Sequence, residues 1–216
     1  MPSVTGKRIA LAGLVLLATG AGGMWLSAGR HADAPRMAAS TQPRSGDSSS
    51  TASGTPRAST GALVEFRDEH AGFALSYPTG WMRPVSSDPQ VAFVTAEKNP
   101  AQNQGGSILV RVTALEAAVG KEQLGEARKA TDAIVASAEG VEIKANPVET
   151  EQGGLPGLYY LYTFRDPVSG QRGAHSHYFL FRGRTMISVV FQALPQDDFG
   201  RLASLFDRVA GSFRVL

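Results

Sequence analysis

The stretch Gly72-Phe73-Ala74-Leu75-Ser76-Tyr77-Pro78-Thr79-Gly80-Trp81 decides how this chain folds. Phe73, Leu75 and Tyr77 alternate with small or polar residues, the period-two pattern of a strand with one buried face. Pro78 has no backbone donor, so strand pairing stops there, and Thr79-Gly80 supplies a turn.

Working outward from that strand, Leu63 to Phe66 precedes it and Val91 to Val94 follows it as further short strands. A polar loop from Lys98 to Gly106 leads into Ser107 to Thr113, rich in β-branched residues. Between Gly120 and Ala138 the period changes: Leu124, Ala127, Thr131, Ile134 and Ala138 recur at helical spacing. Four more strands are predicted at Val141 to Val148, Leu158 to Arg165, Ala174 to Phe181 and Thr185 to Ala193. The connectors Asp166 to Gln171 and Arg182-Gly183-Arg184 are short, which demands antiparallel neighbours. Pro195 ends the last strand, and Asp197 or Asp198 is placed to cap a helix with the apolar stripe Leu202, Leu205, Phe206, Val209 and Phe213. The order β-β-β-β-α-β-β-β-β-α predicts an α+β fold, a central antiparallel sheet flanked by helices.

The residues before this region have a different character. Lys7 and Arg8 precede an uncharged run from Ile9 to Gly29, so residues 1–29 read as a signal anchor or a signal peptide. The run just reaches the roughly 20 residues that span a bilayer, and Trp25 suits the far interface. Its densest apolar part, Ile9 to Ala18, is as short as a secretory core, and Ala18-Thr19-Gly20 or Leu26-Ser27-Ala28 offers a cleavage site. Both fates stand: a single-pass membrane protein with its C-terminal domain outside the cytoplasm, or a secreted or periplasmic one. Residues 30–61 are dominated by Ala, Ser, Thr, Pro and Gly, the composition of a disordered linker with a reach of about 30 Å. Residues 62–216 form the predicted globular domain.

Charge and cysteine usage exclude several functions. Residues 1–61 hold six Lys/Arg against two Asp, whereas residues 62–216 hold fifteen against seventeen Asp/Glu. The basic balance belongs to the tail, and the domain lacks the clustered basic face that nucleic acid needs. With no cysteine in the chain, disulfides, thiolate metal sites, a Cys nucleophile and lipidation at a lipobox are excluded.

The opening motif, extended back to Phe66-Arg67-Asp68-Glu69-His70-Ala71, together with the strand pair, helix, aromatic-rich hairpin and closing helix ending Gly211-Ser212-Phe213, resembles the PsbP-like family and the related Mog-type Ran-binding proteins. The resemblance covers Ala62 to Leu216 and implies an α/β/α sandwich used mostly for assembly or binding. No cofactor-assembly residue of the photosynthetic members aligns, which points instead to bacterial relatives with an extracytoplasmic head.

Two constellations carry possible chemistry. His175 and His177 lie two residues apart on one strand, so their side chains share a face about 7 Å apart and could hold a divalent metal if a third ligand such as His70, Asp68 or Glu69 converged. They also share parity with Phe179 and Phe181, which reads more simply as half-buried partners at the end of an apolar face. The second constellation is an aromatic and cationic set, Tyr160, Tyr162, Arg165, Arg172 and Tyr178, with Tyr159, Arg182 and Arg184 beside it, whose residue types suit a partner or ligand surface. Alternation divides that set between two sheet faces. Gly120-Lys121 fails the phosphate-loop pattern because Leu115 and Glu122 stand where Gly and Ser/Thr are needed, and no G-x-S-x-G or H-E-x-x-H occurs.

The sequence therefore predicts a non-enzymatic, membrane-tethered interaction or assembly module with an unidentified protein partner, no catalytic or cofactor-binding residues and no nucleic-acid partner. A small-ligand or metal-binding sensor is the alternative, and a hydrolase whose residues converge only in three dimensions is the third.

Overall fold

A computed structural model describes residues 61–97 and 105–216. The anchor or signal segment, nearly all of the linker and the loop 98–104 lie outside the described residues. Strand β1 (Leu63–Asp68) pairs antiparallel with β2 (Phe73–Pro78), which holds the opening motif, and Pro78 is its last residue. The turn between them is built by Asp68: its backbone oxygen accepts from Gly72 N at 2.7 Å and its carboxylate from Ala71 N at 2.9 Å.

Next come β3 (Val91–Ala96), β4 (Gly105–Val119), helix α1 (Leu124–Ala136), β5 (Glu142–Gln152), β6 (Leu155–Arg165), β7 (Arg172–Leu194), helix α2 (Phe199–Gly211) and β8 (Arg214–Val215). Strand β7 is continuous over 23 residues but doubles back. Gly183 has a positive φ of 57°, and beyond it His175 meets Gln192 across the fold, so the two strands predicted at Ala174 to Phe181 and Thr185 to Ala193 are the arms of one hairpin. One arm pairs with β6 and the other with β4, which places the hairpin at the centre of the larger sheet.

The α+β class and the central antiparallel sheet flanked by helices are as predicted; a second, smaller sheet joins them. There are two antiparallel sheets: a larger one in the order β3-β4-β7-β6-β5, with both arms of the β7 hairpin in it, and a three-stranded one in the order β1-β2-β8. The smaller sheet and α2 cover one face of the larger, where Phe73, Leu75, Phe93, Ile108, Phe191 and Phe206 are buried together. Helix α1 covers the opposite face through Leu124, Ala127 and Val135, against Leu158, Tyr160 and Phe179. The opening motif thus stitches the small sheet onto the large one rather than extending it, because its apolar side chains need a facing layer more than an edge.

Two local expectations also change. Asp198 occupies the N-cap of α2 but makes no side-chain capping bond; its carboxylate instead lies 3.5 Å from Arg201. Phe213 sits beyond the helix and stacks on Phe73, with ring centroids 5.9 Å apart. Among the described residues no helix is long and apolar enough to cross a membrane.

Candidate functional site

A cluster of buried polar residues lies on the α1-facing side of β6 and β7. The register sets Tyr162 opposite His175 and Tyr160 opposite His177, so alternation delivers all four side chains to one face. Tyr162 is 4% exposed, His175 4% and His177 5%. The Tyr162 hydroxyl lies between the imidazoles, 3.0 Å from His175 Nδ1 and 3.1 Å from His177 Nδ1. The outer nitrogens are also engaged, His175 Nε2 with Gln192 Oε1 at 2.9 Å and His177 Nε2 with Ser188 Oγ at 2.6 Å.

With the Gln192 carbonyl oxygen turned to His175, the contacts take one polarity. Gln192 Oε1 only accepts, so His175 Nε2 carries the proton and its Nδ1 accepts from the Tyr162 hydroxyl. The Tyr162 oxygen then accepts from His177 Nδ1–H, and Ser188 Oγ–H donates to His177 Nε2. Four hydrogen bonds run in one direction from Ser188 to Gln192, with both rings neutral and in opposite tautomers. Rings pack around the chain: Phe179 stacks on His177 with centroids 3.9 Å apart, and Phe164 lies 4.2 Å from His175.

Burial sets the protonation states. It pushes the His175 imidazole down to about 4, an effect only partly offset by the bond to Gln192. It holds His177 well below its ordinary value, with His175 adding to the effect, and it raises the Tyr162 phenol above its own. Tyr160 is in turn satisfied from α1, its hydroxyl 2.6 Å from Thr131 Oγ1 and donating to Asp132 at 2.8 Å.

A serine hydroxyl within reach of an imidazole is the start of a nucleophile and base pair. Here the imidazole's other nitrogen meets a neutral phenol rather than a carboxylate, and burial disfavours the imidazolium that a general base must become. The arrangement is suited to a neutral hydrogen-bonded chain. Regarding a metal, both Nδ1 atoms face one oxygen, and among the described residues there is no group of three or more His, Cys, Asp or Glu that could hold an ion.

The predicted aromatic and cationic surface is not assembled. Tyr160 at 1% exposure and Tyr162 lie in the core beneath α1, because their parity is that of the helix-facing side. Tyr178 points to the other face, half-buried against Phe191, with its phenol pushed up to about 12 mainly by burial. Arg165 and Arg172 face each other at the β6–β7 turn, one donating to Gly170 O and the other to Glu142 and to Thr163. Gln192 and Ser188, which close the buried chain, were not singled out by the sequence; their parity along the second arm was the available signal.

No family model matches the chain, and no curated protein matches it. Solved structures do. Cyanobacterial PsbP (CyanoP) from Synechocystis sp. PCC 6803 matches with a TM-score of 0.50 at 18% identity, over 75% of this chain and 98% of that one. LpqN of Mycobacterium tuberculosis, described as involved in cell envelope biogenesis, matches with a TM-score of 0.53 at 11% identity, over 71% of this chain and 90% of that one. The Ran-binding protein Mog1p of Saccharomyces cerevisiae gives a TM-score of 0.46 at 12% identity, over 72% and 96%. CyanoP and LpqN show that the domain has the PsbP-like fold. At these identities the likeness is one of fold.

Proposed function

We propose that this chain is a non-enzymatic interaction module that works outside the cytoplasm, with residues 1–29 as its membrane anchor or export signal, residues 30–61 as a spacer and residues 62–216 as the binding head. The observation that carries this reading is the closed chain from Ser188 to Gln192: the imidazoles, the phenol and the hydroxyl best equipped for catalysis are spent on one another inside the core. A head of that kind offers partners its surface rather than a reaction centre. The fold supports the location, since LpqN belongs to cell envelope biogenesis in its own organism.

The test is crosslinking in cells that express the full chain, followed by membrane fractionation and purification under denaturing conditions. The expected result is one reproducible heterologous adduct in the membrane or envelope fraction. A head recovered only alone, or with no partner beyond a second copy, would count against the module reading. Extraction at alkaline pH separates the two N-terminal fates, since an anchored chain stays with the lipid and a cleaved one does not.

A further inference from the structure

At the mouth between the two sheets, Arg83 lies over three aromatic rings. Its guanidinium carbon is 4.7 Å from the Phe66 ring centre, 5.3 Å from that of Phe93 and 5.8 Å from that of Tyr77. The rings come from three different strands, and Phe66, Phe93 and Tyr77 also pack on one another, with Phe66 and Phe93 centroids 4.5 Å apart and Tyr77 and Phe93 5.2 Å apart. Arg83 itself is exposed.

Most surface arginines here are already neutralised. Arg67, Arg111, Arg128, Arg172, Arg201 and Arg214 each pair with a carboxylate. Arg83 pairs with none among the described residues, and its contacts are to ring faces. Ring faces offer a guanidinium no acceptor oxygen, so its N–H donors stay available for a carboxylate.

The rim is apolar. Val85, two residues along the chain, is 96% exposed, and Val64, the register partner of Tyr77 across β1 and β2, is 42% exposed. An arginine set against aromatic rings, with exposed aliphatics close by in the strands and the chain, has the residue types of a binding hot spot.

We propose that Arg83, held by Phe66, Tyr77 and Phe93 and flanked by Val64 and Val85, is the docking point for a partner protein through a carboxylate set among apolar side chains in an exposed segment. This inference rests on the interaction-module reading and supplies its surface and the chemistry of its partner. Charge complementarity selects the carboxylate, and the valine rim selects apolar neighbours over a free anion, since they exclude water from the ion pair and strengthen it.

The experiment uses the full chain in cells, with p-benzoylphenylalanine in place of Val85 in one set and in place of Val148, on the outer strand β5, in a control set. After irradiation, adducts are mapped by mass spectrometry, and the Val85 set is repeated with Arg83→Gln, whose fold is checked by near-ultraviolet circular dichroism. The expected result is a heterologous adduct at position 85 whose crosslinked peptide carries Asp, Glu or a C-terminal carboxylate beside apolar residues, and whose yield falls at least about tenfold in Arg83→Gln. An adduct unchanged by Arg83→Gln, one lacking a carboxylate, or one joining the head to this chain's own residues overturns the proposal. Capture at position 148 but not at 85 overturns the Arg83 surface while leaving the module reading in place; capture at neither position counts against both.

Discussion

Arg182, beside Gly183 at the tip of the β7 hairpin, grips the turn that opens the small sheet at Gly72. Its Nη1 donates to Gly72 O at 2.8 Å and its Nη2 to Ala71 O at 2.7 Å. The two sheets are thereby joined by charge-assisted bonds as well as by apolar packing. Gly72 has a φ of 68°, and a Cβ there would lie 2.5 Å from Arg182 Nη1. The glycine serves both the backbone and the close approach of the guanidinium.

Gly72→Ala is therefore expected to cost about 1–3 kcal/mol, from the left-handed backbone and the displaced guanidinium together. Arg182→Met should cost a similar amount, roughly 1–3 kcal/mol, by removing two donors from backbone carbonyls. Urea unfolding of both and of the double variant checks this. The double variant should lose less than the sum, since each change disrupts the same contact.

Tyr162→Phe should destabilise the domain by about 2–4 kcal/mol, because one lost hydroxyl leaves an acceptor on His175 and a donor on His177 buried without partners. Tyr159→Phe is the comparison. Its hydroxyl accepts one long, partly buried bond of 3.3 Å from Ser176, and its loss should cost under about 1 kcal/mol. Equal costs for the two variants in chemical denaturation would show that the Ser188-to-Gln192 chain contributes nothing special.

Much of this arrangement was legible in the sequence and some was not, for definite reasons. The strand at Phe73 to Pro78 and the shared face of His175 and His177 follow from period two, a local property. The hairpin arms were marked by Arg182-Gly183-Arg184. The β5–β6 turn at Gly153-Gly154 lies ahead of the apolar run that begins at Leu158 and so is hidden from periodicity, yet both glycines have positive φ and Gln152 pairs with Leu155. Strand β8 has two residues and no period; it exists because β2 offers Phe73 and Ala74 as partners. The division into two sheets and the meeting of His175 with Gln192 depend on contacts distant in sequence, which alternation cannot encode. The tyrosine and arginine set failed as a surface because residue type was read without the layer that covers each face.

Acid should weaken the fold in a defined window. In the unfolded chain each histidine titrates near its ordinary value of 6.5, while in the folded domain burial holds His175 at about 4 and His177 well below its ordinary value. Above that unfolded value both states are neutral and the histidines contribute no pH dependence. As pH falls from there toward about 4, the unfolded state takes up protons that the folded state refuses, so stability declines by up to about 1.4 kcal/mol per pH unit for each histidine. Of the charged groups on the neighbouring elements, Arg111, the register partner of Ser188, is paired with Asp88, and Asp132 on α1 is bonded to Tyr160. Glu65, lowered chiefly by its bond to Arg214, contributes only below its unfolded value of 4.5. Urea midpoints at a series of pH values should be level above neutrality and drop between pH 6.5 and 4. A flat profile across that interval would mean the imidazoles are accessible to protons.

Zinc is the sharpest probe of whether the two histidines serve a ligand. Zinc binds imidazole nitrogen at about 2.0–2.1 Å and usually takes four ligands. In the folded domain His175 Nδ1 and His177 Nδ1 both face the Tyr162 oxygen at 3.0 and 3.1 Å, so an ion between them would need that phenol to ionise or withdraw. Burial raises the phenol's pKa and opposes ionisation; withdrawal would give up its buried hydrogen bonds. Using the outer nitrogens instead would break the bonds to Gln192 and Ser188. The expected outcome is no zinc- or manganese-dependent rise in melting temperature for the full chain, and the same behaviour in His177→Ala apart from its lower starting stability. An ion at 100 times its dissociation constant stabilises by about 2.7 kcal/mol, an effect too large to miss in such a domain. A rise present in the natural chain and absent in His177→Ala would establish a metal site and require the Tyr162 bridge to open.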